Sequence, residues 1–599
     1  MKRRLLLSAA ILAVLTGCNS SNSDDEQDPI IPEDGKPGVG VIPFDAPPYI
    51  QRPTVDSMTV RFELNSEERV VYYRELNSEE WIAHETTQVP VIDQAFHLEN
   101  LVEAELNNLN SNTVYEYYID TDYGQTPVYQ FKTWPKKSDV EDGHVYKFAH
   151  YADTHAHNYT ADLIQGLIEG ECGGIASQCI EELASIYIAG DISGYLGHDH
   201  IATRKLLNLM SEITPFVPVS ISFGNHDNDT YYETPKMYFK LPGISDGTQG
   251  TDKLTSWWED RYLDTVIWGH NSVLDNNDKG ELERQDSFFE SRFSDIRNAY
   301  HAEEHSGIAY DLVNYTMMMT HYSCKSETWT GPMQSVCNWI TLNDRAVHSS
   351  YNRYFGLHIH GHNHGGFNLG QSMNAPTAWA GLPSATRECR QCYGYAPHNE
   401  FESRWAGRGV MIAEMTYVDF KHEDGRDRRK MTLRVMDQDG GLDTTNETKV
   451  FMNTDKPETP AILNQDVTLE MDAVLPETLV VETNEYVDPA SHKHHESHWQ
   501  LTYTNAEGQK VTKDIWGKDT RAVNWSYDKN DNEGIDLIRY DMLNSFVDIY
   551  EEINQDRETP IITSTEVRVR HRNEFFTWSN YSDAFTVTMT EEGAIPPAL

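Results

Sequence analysis

Apolar and polar positions change period several times along the chain. Between 48 and 135 they alternate, as in Ser57-Met58-Thr59-Val60-Arg61-Phe62-Glu63-Leu64 and Thr113-Val114-Tyr115-Glu116-Tyr117-Tyr118-Ile119. Period-two alternation broken by turn residues predicts strands at β-sandwich spacing. From 144 the pattern becomes a set of apolar runs, each closed by a polar residue. The run at 145–152 meets Asp153-Thr154-His155, that at 184–189 meets Gly190-Asp191, and that at 216–223 meets Gly224-Asn225-His226-Asp227. Downstream, 315–320 meets His321, and 355–359 meets His360-Gly361-His362-Asn363-His364. Such runs predict buried strands. Between the second and third, 201–212 carries Leu206, Leu207, Leu209 and Met210 on one side and predicts an amphipathic helix. The result is the β-α-β alternation of a layered α/β domain, placed at 144–455. Alternation returns from 460 to 590, at 477–481, 498–502, 566–570 and 585–588, and predicts a second all-β module.

In a layered α/β fold, ligands gather where loops leave the carboxyl ends of the strands. The five run-ends would then converge, and His, Asp and Asn suit divalent metals of hard or borderline character. Gly-Asn-His-Asp alone would be an ordinary turn; the company of four further run-ends makes it a site. The order Asp-x-His, Gly-Asp, Gly-Asn-His-Asp, His, Gly-His-x-His resembles the calcineurin-like metallophosphoesterase family. That resemblance implies two metal ions, of iron, zinc or manganese. It implies one metal on Asp153, His155, Asp191 and His364, and a second on Asp191, Asn225, His321 and His362. Asp191 would bridge them, because a carboxylate offers two oxygens and a charge that offsets the cations. His226 would be the acid for the leaving group, oriented by Asp227, with metal ligation as its other reading. His270, which closes the run at 266–269, competes with His321. His358 and His360 precede the last motif, and His360 shares a face with His362.

The flanks carry a second resemblance. The stretch 106–115, with Leu106-Asn107-Asn108-Leu109, and the closing Phe131-Lys132-Thr133-Trp134-Pro135 resemble a fibronectin type III module; so does Trp578-Ser579-Asn580-Tyr581-Ser582. A module of this kind ahead of the catalytic domain is similar to the layout of purple acid phosphatases. The chain departs from them at Asp153-Thr154-His155, where they carry Asp-x-Gly, and at Gly194, where they carry a Tyr. The expected fold is a layered α/β metallophosphoesterase sandwich at 144–455, flanked by all-β fibronectin type III-like modules at 48–135 and 460–590.

Composition sharpens this picture. The 599 residues exceed a single core of about 250–300 residues. Asp plus Glu number 94 against 48 Lys plus Arg, a formal net charge of −46, which disfavours nucleic acid as a partner. Met1-Lys2-Arg3-Arg4 and the apolar stretch 5–14 read as an export signal. Leu15-Thr16-Gly17-Cys18 resembles a bacterial lipobox, which implies lipid attachment at Cys18, membrane contact through that anchor alone, and, with Asn19 following, the outer membrane. Residues 19–47 read as a flexible linker. The remaining cysteines fall into local pairs, Cys172 with Cys179, Cys324 with Cys337, and Cys389 with Cys392. Short loops in an oxidising compartment favour disulfides within each pair; Cys389 and Cys392 also admit a redox reading. Arg387 is a candidate phosphate contact, since Arg pairs bidentately with phosphate. The long segment 229–313 reads as a lid or substrate wall. His492, His494, His495 and His498 read as a loop entering a strand.

Together these readings predict a surface-anchored hydrolase of phosphate esters, with monoesters favoured. A phosphodiesterase or nucleotidase is the alternative, and a binding or adhesion lipoprotein with a structural metal is the other.

Overall fold

The computed structural model describes residues 42–89, 98, 100–192, 200–227, 237–241, 256–274, 279–306, 312–322, 355–362, 367–371, 377–382, 401–405, 408–419, 429–437, 440, 449–452, 456–489, 494–516, 539–555, 557–573 and 578–597. The chain divides into two units, Met1–Pro43 and Phe44–Leu599, and the second holds the elements described below.

Its first part is built from β1 (Ala46–Gln51), β2 (Ser57–Glu63), β3 (Arg69–Glu75), β4 (Ile82–Glu85), β5 (Thr87–Gln88), β6 (Leu101–Asn107), β7 (Val114–Thr121), β8 (Gly124–Gln125) and β9 (Tyr129–Lys132). These pair as two antiparallel sheets, β1-β2-β6-β5 and β4-β3-β7-β8, with β9 also on β7. Alternation is visible on β7, where Tyr115, Tyr117 and Ile119 are buried and the residues between them are less so.

The central part holds β10 (Val145–Tyr151), α1 (Tyr159–Cys172), α2 (Cys179–Glu182), β11 (Ser185–Ala189), α3 (His200–Leu209), β12 (Val219–Ser222), β13 (Trp258–Tyr262), β14 (Thr265–Gly269) and α4 (Lys279–Ser306). Next come β15 (Tyr315–Thr320), β16 (Phe355–His360), β17 (Phe367–Gln371), β18 (Thr377–Gly381), β19 (Phe401–Trp405), β20 (Gly409–Thr416), β21 (Lys430–Asp437) and β22 (Lys449–Met452). One sheet runs β12-β11-β10-β20-β21-β22, the other β13-β14-β15-β16-β18-β17-β19. In the first, β10, β11 and β12 are parallel; in the second, β14, β15, β16 and β18 are parallel.

Side-chain alternation explains the layering. Tyr146, Phe148, Tyr187, Met411, Ala413 and Leu433 from one sheet share an apolar core with Ile267, Met317, Met319, Leu357 and Ile359 from the other. The opposite faces pack on helices: Ala149, Tyr151, Ile186 and Ile188 against Leu163 and Leu167 of α1 and Leu206 of α3, and Val266, Trp268 and Met318 against Phe288, Phe289 and Phe293 of α4. Every predicted run-end therefore leaves the carboxyl end of a parallel strand. Cys172 and Cys179 form a disulfide between α1 and α2. Cys324, Cys337, Cys389 and Cys392 lie outside the described residues, as does Cys18.

The described part of the 229–313 segment includes an edge hairpin, β13–β14, and the helix α4 on the outer face of the second sheet. Apolar burial there serves the fold, and other parts of the segment lie outside the described residues. One expectation needs correction. The C-terminal part, β23 (Val467–Glu470), β24 (Val480–Glu482), β25 (His494–Thr504), β26 (Lys510–Trp516), β27 (Arg539–Asp541), β28 (Thr563–Asn573) and β29 (Phe585–Thr590), is not all β. It also contains α5 (Leu543–Asn554), whose Leu543, Phe546, Ile549, Tyr550 and Ile553 recur at helical period and bury against Trp499, Leu501 and Val567.

Candidate metal centre

The loops after β10, β11, β12, β15 and β16 are sewn to one another by backbone hydrogen bonds and by the carboxylates of Asp153, Asp191 and Asp227. Asp153 N–H donates to Gly190 O at 3.0 Å, His155 N–H to Asp191 O at 2.9 Å, and Gly361 N–H to His321 O at 3.1 Å. The Asp153 carboxylate accepts the His362 N–H, with oxygens at 3.0 and 3.1 Å. Asp153, His155, Asp191 and His362 all hold φ between 44° and 72°, a left-handed conformation that costs a residue with a Cβ. Strain of this kind persists where the surroundings over-determine it, and here it concentrates on the run-ends.

Asp191 is the hub. Its Oδ1 accepts the His226 N–H at 2.9 Å. Its Oδ2 faces His321 Nε2 at 3.2 Å, His155 Nε2 at 3.8 Å and His226 Nε2 at 4.0 Å. His321 Nε2 also lies 3.1 Å from Asn225 Oδ1. The other nitrogen of His321 fixes the tautomer. Nδ1 is 2.9 Å from the Ala189 carbonyl, an acceptor only, so Nδ1 carries a proton. In the neutral ring Nε2 then presents a lone pair toward two oxygens. Three electron-rich atoms converging within hydrogen-bond distance need a proton or a cation between them. Two groups of ligand atoms, His155–Asp191–His226 and Asp191–His321–His362, each lie within 4.8 Å of one another and share Asp191.

Protonation behaviour agrees with that arrangement. Burial opposes charge on His321, yet the Asp191 carboxylate outweighs it and lifts the imidazole to about 9. Burial pushes the Asp191 carboxyl up, but His321, His155 and the His226 N–H together hold it well below the usual carboxylate range. His362 is pushed down to about 3 by burial and by the charge on His321. A metal at these nitrogens competes with the proton that His321 otherwise takes.

Three glycines permit the close approach. A Cβ at Gly224 would stand 2.1 Å from Asp191 Oδ1, and one at Gly190 2.5 Å from His321 Nδ1. A Cβ at Gly361 would stand 2.6 Å from the Ala152 Cβ and 3.0 Å from Asp153 Oδ2. Gly190 additionally has φ +83°. The donor set of carboxylate, imidazole and amide oxygen suits zinc, iron or manganese, and so fits the expected metals.

The structure thus brings together Asp153, His155, Asp191, Asn225, His226, His321 and His362. His364 and Arg387 lie outside the described residues. His270 is elsewhere: it is buried against Phe289, with Nε2 3.2 Å from Gln285 Nε2. His358 Nε2 meets Thr320 Oγ1 at 3.0 Å, and His360 Nδ1 is 3.2 Å from Gly361 O. The carboxylate of Asp227 accepts backbone N–H groups from Asp191 at 2.9 Å, Ile192 at 3.1 Å and Gly224 at 2.8 Å. Sequence reasoning placed Gly190 and Gly361 in the motifs without giving them a role, and it missed this clamp and Tyr322, whose ring packs edge-on to His362 at 4.4 Å. An aromatic directly after a run-end histidine was the signal available for Tyr322. In the C-terminal part, His494 meets Ser497 and His498 meets Asp514, both from strand β25.

No protein-family profile matches the sequence, and no curated relative matches it. Solved structures share parts of its fold. A purple acid phosphatase from yellow lupin (Lupinus luteus) seeds is 12% identical, over 68% of this chain and 74% of its own, with a TM-score of 0.48. PhoD is 13% identical, over 70% of this chain and 92% of its own, with a TM-score of 0.46. A 5′-nucleotidase from Candida albicans is 11% identical, over 50% of this chain and 52% of its own, with a TM-score of 0.29.

Proposed function

We propose that this chain is a hydrolase of phosphate esters that works with two metal ions, on monoesters in preference to diesters or nucleotides. The observation that carries this reading is the convergence of His321 Nε2, Asp191 Oδ2 and Asn225 Oδ1, beside two ligand groups that share Asp191. Asp191, His321, Asn225 and His362 would hold one ion. Asp153, His155 and Asp191 would hold the other with His364.

When bound, the ions supply positive charge for the phosphoryl oxygens and acidify water. Hydrolysis adds water across the P–O bond: the water oxygen joins phosphorus and the alcohol oxygen leaves with a proton. His226 is placed to give that proton. Its side chain is 23% exposed, so a substrate can reach it, and its backbone N–H is fixed on Asp191 Oδ1. The Asp227 clamp on the Asp191 and Gly224 backbones holds the carboxylate and the acid in one register.

The flanking β parts would be fibronectin type III-like modules, the C-terminal one elaborated by α5. The motif at Cys18 supports a lipid anchor in the bacterial outer membrane. Metal analysis and an ester panel test the proposal together. Protein reconstituted with zinc, iron or manganese should hold two ions and cleave phosphomonoesters faster than diesters. It should show no visible tyrosinate band, since Gly194 stands where a Tyr would colour the iron. One ion or none, or no cleavage of either ester class, would refute it.

A further inference from the structure

The first β-module grips the chain that flanks two of the loops carrying candidate ligands, and it does so with buried charge. Glu63, at the end of β2, is fully buried, and its carboxylate takes Arg204 of α3 through Nε and Nη2 and the Tyr238 hydroxyl at 2.7 Å. Arg61, also on β2, donates to Met237 O at 2.7 Å and pairs with Glu103 of β6. Glu103 in turn accepts Lys240 Nζ at 2.9 Å. Tyr49 OH donates to Tyr238 O at 2.8 Å, and Gln51 Oε1 accepts the Lys240 N–H at 2.9 Å. Tyr117 OH donates to Pro215 O at 2.9 Å, and Ile50 N–H to Thr214 O at 3.0 Å.

The gripped segments are not arbitrary. Arg204 lies on the helix that follows the Asp191 loop. Thr214 and Pro215 lead into β12, which delivers Gly224, Asn225 and His226. Met237, Tyr238 and Lys240 belong to the segment after Asp227. Together they are the chain on both sides of the Asn225–Asp227 turn and beyond the Asp191 loop.

Interfaces between domains of one chain are ordinarily polar and wet, and allow relative motion. Here carboxylates and guanidinium groups are withdrawn from water, which costs free energy that a surface contact would avoid. A buried network of paired charges fixes geometry more than it adds stability. We infer that the N-terminal β-module is a positioning element of the metal centre. Through Glu63, Arg61, Tyr49 and Tyr117 it sets the outer ends of the loops that carry Asp191, Asn225 and His226. The inference rests on the reading of that cluster as a metal centre, and one arm of its test does not.

The full chain tests it, with hydroxyls removed one atom at a time. Tyr49→Phe, Tyr117→Phe and Tyr238→Phe keep the packed rings, and their triple combination is compared with Tyr503→Phe. Tyr503 donates to Glu552 at 3.0 Å and belongs to the separate C-terminal core, so the control removes a hydroxyl bond that does not touch these loops. Two readouts are taken well below the melting temperature: the zinc dissociation constant by chelator competition, and amide exchange of 186–192 and 219–227 in metal-free protein. The triple variant should bind zinc more weakly by roughly 2- to 30-fold and exchange faster in those segments, with the control unchanged. Exchange at the wild-type rate would overturn the inference whatever zinc does. Faster exchange with no zinc bound even by the wild type would uphold the positioning and refute the metal centre. A Glu63→Gln variant that folds should show the larger effect; if it fails to fold, the hydroxyl series alone decides.

Discussion

Asp227 holds Asp191 from behind: its Oδ2 accepts the Asp191 backbone N–H at 2.9 Å, while the Asp191 side chain points into the ligand groups. The same carboxylate takes the N–H groups of Ile192 and Gly224. Two acidic residues thus divide the work, one facing the candidate ligand groups and one facing the main chain that presents it.

Replacing Asp227 with Asn should therefore disturb the metals. An amide has one acceptor oxygen where three N–H groups need two, so at least one N–H loses its partner. A lost bond to a charged group costs about 1.5–3 kcal/mol. Thermal unfolding should show that loss, and zinc content after dialysis should fall below the wild type. Full zinc content with slowed ester cleavage would assign Asp227 to His226 alone.

Gly224→Ala tests the cradle. The added Cβ would stand 2.1 Å from Asp191 Oδ1 and 2.3 Å from Asp191 N, so the loop must move and the carboxylate lose its bond to the His226 N–H. Overpacking of this kind costs roughly 1–3 kcal/mol, which a chain of this size should survive. The expected protein is folded by circular dichroism and poor in metal. Normal metal stoichiometry would mean that the loop yields without loss.

His226 and Asn225 should fail in different ways. His226→Ala should keep both ions and slow cleavage of an alkyl phosphate by about 10²-fold or more relative to a nitrophenyl phosphate, because a good leaving group hardly needs the proton. Asn225→Ala removes an oxygen beside His321 and should lower metal content and slow both substrates alike. His226 shares a ligand group with His155 and Asp191, so the opposite outcome has a clear meaning. Equal losses on both esters, with an ion missing, would make His226 a ligand.

Asp260 on β13 gives a pH signature outside the centre. Burial raises its carboxyl from an ordinary 3.8 to about 8. The folded protein then holds a proton that the unfolded chain has released, so stability falls as pH rises between about 4 and 8. Asp260→Asn removes that dependence. Melting temperatures should match the wild type near pH 4 and exceed it at pH 9. A variant that gains nothing at alkaline pH would show that Asp260 ionises at little cost.

Much of this architecture is written in local pattern. The run at 315–320 is β15 residue for residue, and the runs ending at Asp153, Asp191 and Asn225 lead out of β10, β11 and β12. A buried strand must be apolar along its length, and a loop that faces ligand must not be, so the switch between them survives in one dimension. Helix α4 was hidden because Phe288, Phe289, Phe293 and Ile296 sit among charged residues on the exposed faces of a long helix. Helix α5 was legible at Leu543, Phe546, Ile549 and Ile553 and was overlooked among strands.

Pattern could not say which histidine faces which carboxylate. His270 and His321 both close apolar runs, on the neighbouring strands β14 and β15, yet one meets Gln285 and the other meets Asp191. Nor could it pair Glu63 with Arg204 across 141 positions, or show Asp227 turned toward three backbone N–H groups. Periodicity records whether a side chain is buried. Its partner is set by how distant segments cross, and that is decided only when the sheets stack and the module closes on the loops.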